Sequence, residues 1–116
     1  MSHNRDLEAV LDIDYYGRQA ISFVVGLTQH DFEEDDKTIA AVMYVIAIMG
    51  EATKRLSKEF RLQHSSIPWY EIAGMRDRLV HDYKNIDLDI LWHIVSVEIP
   101  VLLACLGPLL PQREAE

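Results

Sequence analysis

The chain has 116 residues, 49% of them apolar, a single cysteine, and a formal net charge of −8 from 11 basic and 19 acidic side chains. That length suits one domain, and that apolar share is enough for a core without disulfide or metal staples. The lone cysteine excludes a disulfide framework, and the acidic balance excludes a protein that grips nucleic acid through a broad basic surface.

The opening residues, MSHNRDLEAVLDID, are polar where a secretory signal needs an apolar centre. The longest apolar run, Ile39 to Met49, falls short of the ~20 residues that cross a bilayer. The expectation is a soluble, cytoplasmic protein with no membrane contact and a reducing environment for Cys105, read as a small buried hydrophobe.

Helical periodicity runs through nearly the whole chain. From Arg5 to Leu27 a stripe of Leu7, Val10, Leu11, Tyr15, Ile21, Val24, Val25 and Leu27 recurs every three or four residues, interrupted by Asp14 and Gly17. Residues 28–37 are polar and acidic and predict a connection with one short helical turn, Phe32 pointing inward. A second long helix is expected from Asp36 or Thr38 to about Phe60. Its first half, TIAAVMYVIAIMG, is apolar all round, which calls for burial on every side, part of it against a second subunit.

His64 to Ile67 predict a loop, and Pro68 suits the first turn of the next helix, where a missing N–H costs nothing. Trp69, Ile72, Ala73, Met75 and Leu79 mark the buried side of that helix. Asp87 is expected as an N-cap and Leu88 as the start of a last helix to about Leu106, bent or broken by Pro100. Gly107-Pro108 end it, and residues 107–116 form a tail. The fold expected is a single all-α domain over 1–116, core about 5–106, built as an up-and-down bundle of about four or five helices and dimeric.

Chemistry concentrates in RDRLVHDY, Arg76 to Tyr83. His81 titrates near neutral pH, so it suits proton transfer to and from the oxygens of an RNA phosphodiester. Arginines suit the phosphate, being permanently charged and bidentate. On a straight helix Arg78 lies about 60° from His81 and Arg76 about 140°, so Arg78 is expected as an RNA-phosphate contact and Arg76 needs the helix to end nearby. Asp77, four residues before His81, is a supporting residue. The bland reading of the cluster is a solvated helix face. His3, His30 and His64 are expected in solvent, and His93 as a satisfied buried histidine. No histidine pair has helical zinc-ligand spacing and no glycine-rich phosphate loop occurs, so no metal or cofactor is expected.

Arg76-X4-His81-X-Tyr83 resembles the Arg-X4-6-His motif of HEPN domains in the extended form of HepT-like proteins. IMGEATKRLS (48–57), IPWYEIAGMRDRLVHDY (67–83) and DLDILW (87–92) resemble that family in order and spacing. The resemblance implies a helical bundle that dimerises with its motifs at a shared cleft. It implies a metal-independent ribonuclease toxin, with Arg76 and His81 catalytic. It also implies a partner, a minimal nucleotidyltransferase antitoxin that transfers AMP onto Tyr83. Glu51, in GEAxKRL, is expected as an ion-pair partner of a motif arginine or else as a plain exposed residue. A different class of function is a non-catalytic substrate-binding or regulatory subunit of the nucleotidyltransferase, and a third is a structural dimer whose cluster ties helices together.

Overall fold

A computed structural model describes residues 2–82 and 85–111, with the backbone alone at 2, 3, 81 and 82. The expected all-α architecture is present. In chain order it comprises α1 (Ser2–Val24), α2 (Gln29–Glu33), α3 (Asp36–Lys54), α4 (Lys58–Gln63), α5 (Trp69–Ala73) and α6 (Met75–Leu79). A small antiparallel ribbon follows, β1 (Val80–Asp82) and β2 (Asn85–Ile86), then α7 (Leu88–His93), a π-helical turn (Ile94–Glu98) and α8 (Ile99–Leu106). The expected tail over 107–116 begins instead as a 3-10 turn, Gly107–Leu109, with Leu109 and Leu110 packed on the core, and residues 112–116 lie outside the described residues.

The first long helix exists, and its buried face is the expected one only in part: Val10 and Val24 are buried and Ile21 and Leu27 pack on the core. Ala9, Val10, Ile13, Gly17, Ala20 and Val24 are buried, whereas Leu11, Tyr15 and Val25 are 42%, 60% and 73% exposed. Small residues decide this. A Cβ at Gly17 would sit 2.8 Å from the Leu103 Cδ2, so the position read as an interruption is where a side chain of α8 packs directly on the backbone of α1. α1 packs along α3, whose inner face is Val42, Val45, Ile46, Met49 and Ala52. Phe32 points inward as expected, against Trp92 with ring centroids 5.3 Å apart.

The second long helix stops at Lys54 instead of running to Phe60. Ser57 starts a new helix there: its Oγ accepts from the Phe60 N–H, and its own N–H and Oγ–H donate to the buried carboxylate of Asp6 at 2.7 and 2.8 Å. In the single chain the upper α3 keeps an uncovered side, with Tyr44 67% exposed and Ala47 and Ile48 half-buried. Asp87 caps α7 as expected, accepting from the Ile90 N–H at 3.0 Å.

Pro100 neither breaks nor stops the last helix, which continues over 22 residues from Leu88 to Leu109. The residue-100 N–H that is missing would have met the Ser96 carbonyl, and a proline ring would collide with it. The chain widens into the π turn just before, where the Ile99 N–H donates to the Ile94 carbonyl. By length and composition this helix, rather than Ile39 to Met49, is the apolar segment long enough to cross a membrane. Leu91, Ile94, Val95, Ile99, Leu102 and Leu106 bury one side of it in the core shared with α1. Cys105, expected as a small buried hydrophobe, is exposed.

Candidate active site

The segment RDRLVHDY does not lie on one straight helix. Gly74 separates α5 from α6, and α6 ends at Leu79, where Val80 turns to an extended conformation (φ −110°, ψ 103°). The backbone then runs through β1, with Val80 paired to Ile86 and Asp82 to Asn85. The Asp87 N–H donates to the Leu79 carbonyl at 2.9 Å and closes the return. The helix thus ends near His81, as a shared site with Arg76 requires, and an antiparallel ribbon follows it. Tyr83 and the side chain of His81 lie outside the described residues.

Two contacts seat α5 and α6. Ile72, Met75 and Leu79 are buried in the core. Gly50 of α3 allows the close approach, since a Cβ there would meet the Ala73 carbonyl oxygen at 3.1 Å. This is a physical reason for glycine in GEAxKRL: the next residues, Glu51 and Lys54, then stand beside the motif.

Arg76 and Arg78 are both exposed and turn into different clefts. Arg76 lines one of about 310 Å³ with Gly50, Glu51, Lys54 and Asp77. Its guanidinium meets no carboxylate among the described residues. Arg78 lines the neighbouring cleft, about 420 Å³, with Lys54, Tyr70, Glu71 and Asp77. Asp77 and Lys54 border both. The ion pair of Glu51 is with Lys54 at 3.2 Å rather than with a motif arginine, although Glu51 does share the cleft of Arg76.

The fork of Arg78 is occupied. Its Nη1 and Nη2 donate to the two carboxylate oxygens of Glu98 at 2.8 and 3.0 Å. Those hydrogen bonds hold the Glu98 carboxyl below the ordinary glutamate range against the opposing effect of desolvation; the charges of Arg78 and His93 act in the same direction. The Arg78 guanidinium is correspondingly held more firmly protonated, first by the hydrogen bonds to Glu98. His93 is exposed, not buried, with its Nε2 3.5 Å from a Glu98 oxygen. His30 is exposed as expected, while His64 packs its ring on Phe60, centroids 4.5 Å apart.

Sequence reasoning missed Glu98 and Lys54 as neighbours of the motif. Lys54 could have been found in GEAxKRL. For Glu98 the signal was a carboxylate two residues before proline, the single charge in SVEIPVLL.

A family model described as ribonuclease HepT-like matches residues 13–108. A protein of Caldanaerobacter subterraneus subsp. tengcongensis, provisionally named an RNase, is 45% identical over 71% of this chain and 73% of its own length. A protein of Thermococcus cleftensis, provisionally named ribonuclease HepT, is 44% identical over 62% and 66%. One of Methanocaldococcus jannaschii, provisionally named an RNase, is 35% identical over 83% and 80%. No solved structure matches the chain.

Proposed function

Since the chain belongs to the HepT-like ribonuclease family, we propose that it is a metal-independent endoribonuclease acting as the toxin of a toxin–antitoxin pair, with Arg76 and His81 as its catalytic residues. The observation that carries the reading is Arg76 itself. It stands in a cleft with its guanidinium unmatched by a described carboxylate, and the helix that bears it ends at Leu79, two residues before His81. A guanidinium that no described carboxylate holds, at the surface of an acidic protein, is available to a phosphate.

The chemistry assigned to the pair is attack of the RNA 2′-hydroxyl on its own phosphorus. The 2′-O–P bond forms and the P–O5′ bond breaks, leaving a 2′,3′-cyclic phosphate and a 5′-hydroxyl. One imidazole takes the 2′-hydroxyl proton and another protonates the leaving 5′-oxygen. Arg76 meets the charge that builds on the phosphorane. Two imidazoles call for two copies of the chain around a twofold axis. The outer face of α3 supports such a pairing: half-buried Ala47 and Ile48 and exposed Tyr44 line a groove that shares Ala47 and Glu51 with the cleft of Arg76. Arg78 is left out of the phosphate clamp because its fork is closed by Glu98.

The partner in this reading is a minimal nucleotidyltransferase. It transfers AMP from ATP to the Tyr83 hydroxyl, releasing pyrophosphate, and places a bulky anion two residues from His81.

The test is cleavage of RNA by the purified protein in EDTA, with product ends identified. Wild type should yield 2′,3′-cyclic phosphate ends, and Arg76→Ala or His81→Ala should lower cleavage by at least about a hundredfold. Cleavage that persists in His81→Ala overturns the reading. No cleavage by any form, with a tight nucleotidyltransferase complex, replaces it by the regulatory-subunit reading.

A further inference from the structure

Arg78 and Glu98 are 20 residues apart in sequence and joined by two short hydrogen bonds. The pair links the motif helix to the long C-terminal helix. α6 has only five residues, too few to hold itself together in water. The ribbon that follows is three residues against two, equally marginal alone. The direction in which the chain leaves α6 towards His81 must therefore be set by outside contacts. Met75 and Leu79 anchor the buried side of α6, and Arg78 is its lateral tie.

The π turn places the other half of the tie. In an unbroken α-helix Glu98 would lie about 40° from Ile94 and about 60° from Val95, both buried. A carboxylate would then face the core. Widening the helix before Pro100 brings Ile99 into the core instead and leaves Glu98 at the rim, its side chain 29% exposed, facing Arg78.

We propose that Glu98 is a positioning residue of the motif: by closing on Arg78 it fixes α6 against the C-terminal helix and so sets the course of the backbone through His81. The inference rests on the ribonuclease reading for its functional consequence, but its structural half stands independently. Arg78 acts through Glu98 and not on the RNA phosphate. A guanidinium held by both carboxylate oxygens would have to surrender two charge-assisted hydrogen bonds to grip a phosphate.

A charge swap separates these roles. Arg78→Glu, Glu98→Arg and the double variant are compared for RNA cleavage in EDTA and for hydrogen exchange at the Asp87 amide, which donates to the Leu79 carbonyl. Each single variant should lose roughly ten- to a hundredfold in kcat with KM little changed, and the double variant should regain most of it. Asp87 exchange should quicken in the singles and slow again in the double. A double variant still as slow as the singles, with KM raised, makes Arg78 a phosphate contact and overturns the proposal. Asp87 exchange unchanged in every variant overturns it as well, by making the pair an idle surface contact. Glu98→Gln, nearly isosteric, guards against a folding defect and should fall between wild type and the single swaps. Wild type that fails to cleave RNA refutes the ribonuclease reading alone, since exchange still decides the positioning claim.

Discussion

Arg76 and Arg78 stand two residues apart in one motif and meet different surroundings. Side chains two apart on a helix point roughly 160° apart, so one turns to the cleft beside Glu51 and the other to Glu98. Arg78 would lie nearer His81 only on a helix running past Leu79, and the chain is extended from Val80. For Tyr83 the expected outcome is chemical: nucleotidyltransferase plus ATP adds the mass of AMP to wild type and none to Tyr83→Phe. Equal labelling of both removes Tyr83 from the reading. Glu98 carries a pH prediction. Its folded pKa lies below the unfolded value of about 4.3, so the stability it contributes is full above that value and lost as pH falls through the lowered one. In a His93→Gln background, which removes the other described cation at the carboxylate, the urea midpoint of the Glu98 protein should exceed that of Glu98→Gln above the unfolded value and approach it as pH falls through the lowered one. The difference should stay under about 1 kcal/mol, because both side chains are partly exposed. A gap that widens with acid would contradict the assignment.

Elements are bounded here by local chemistry that the apolar pattern hides. The α3–α4 break is the clearest case. KRLSKEF reads as continuous amphipathic helix, yet Ser57 caps a new one because Asp6, 51 residues earlier, accepts from both its N–H and its hydroxyl. Asp6 is 5% exposed, so Asp6→Ala would leave those donors without their charged acceptor. The expected loss is about 1–3 kcal/mol in urea unfolding; a loss below about 0.5 kcal/mol would mean water replaces the carboxylate at no cost. The last helix shows the opposite case. Pro100 suggests a break, and the chain absorbs it by one π turn whose by-product is an outward Glu98.

At the scale of the molecule the thinnest dimension is 21 Å, about two helix diameters, so many helices have an outer face. That flatness explains why apolar residues of α1 and α3 such as Leu11, Tyr15 and Tyr44 remain exposed. It also motivates a solution measurement. Sedimentation equilibrium at micromolar concentration should return the mass of two chains, and Tyr44→Glu with Ile48→Glu should return that of one while far-UV dichroism stays helical. A wild-type mass of one chain would remove the shared cleft.

The sequence by itself determined the all-α class, the long helices, the cap at Asp87 and the family, because apolar periodicity and a dense linear motif are local properties. Through that motif it also names Arg76, His81 and Tyr83 as candidates for the chemistry. Only the tertiary structure decided which face of α1 is buried, where α3 ends, that α6 stops at Leu79 and that Arg78 belongs to Glu98. Each of these depends on a partner distant in sequence: Leu103 over Gly17, Asp6 on Ser57, Leu79 with Asp87 across the ribbon, Glu98 on Arg78. A periodic pattern records how a segment meets a core in general, and carries no record of which side chain waits there.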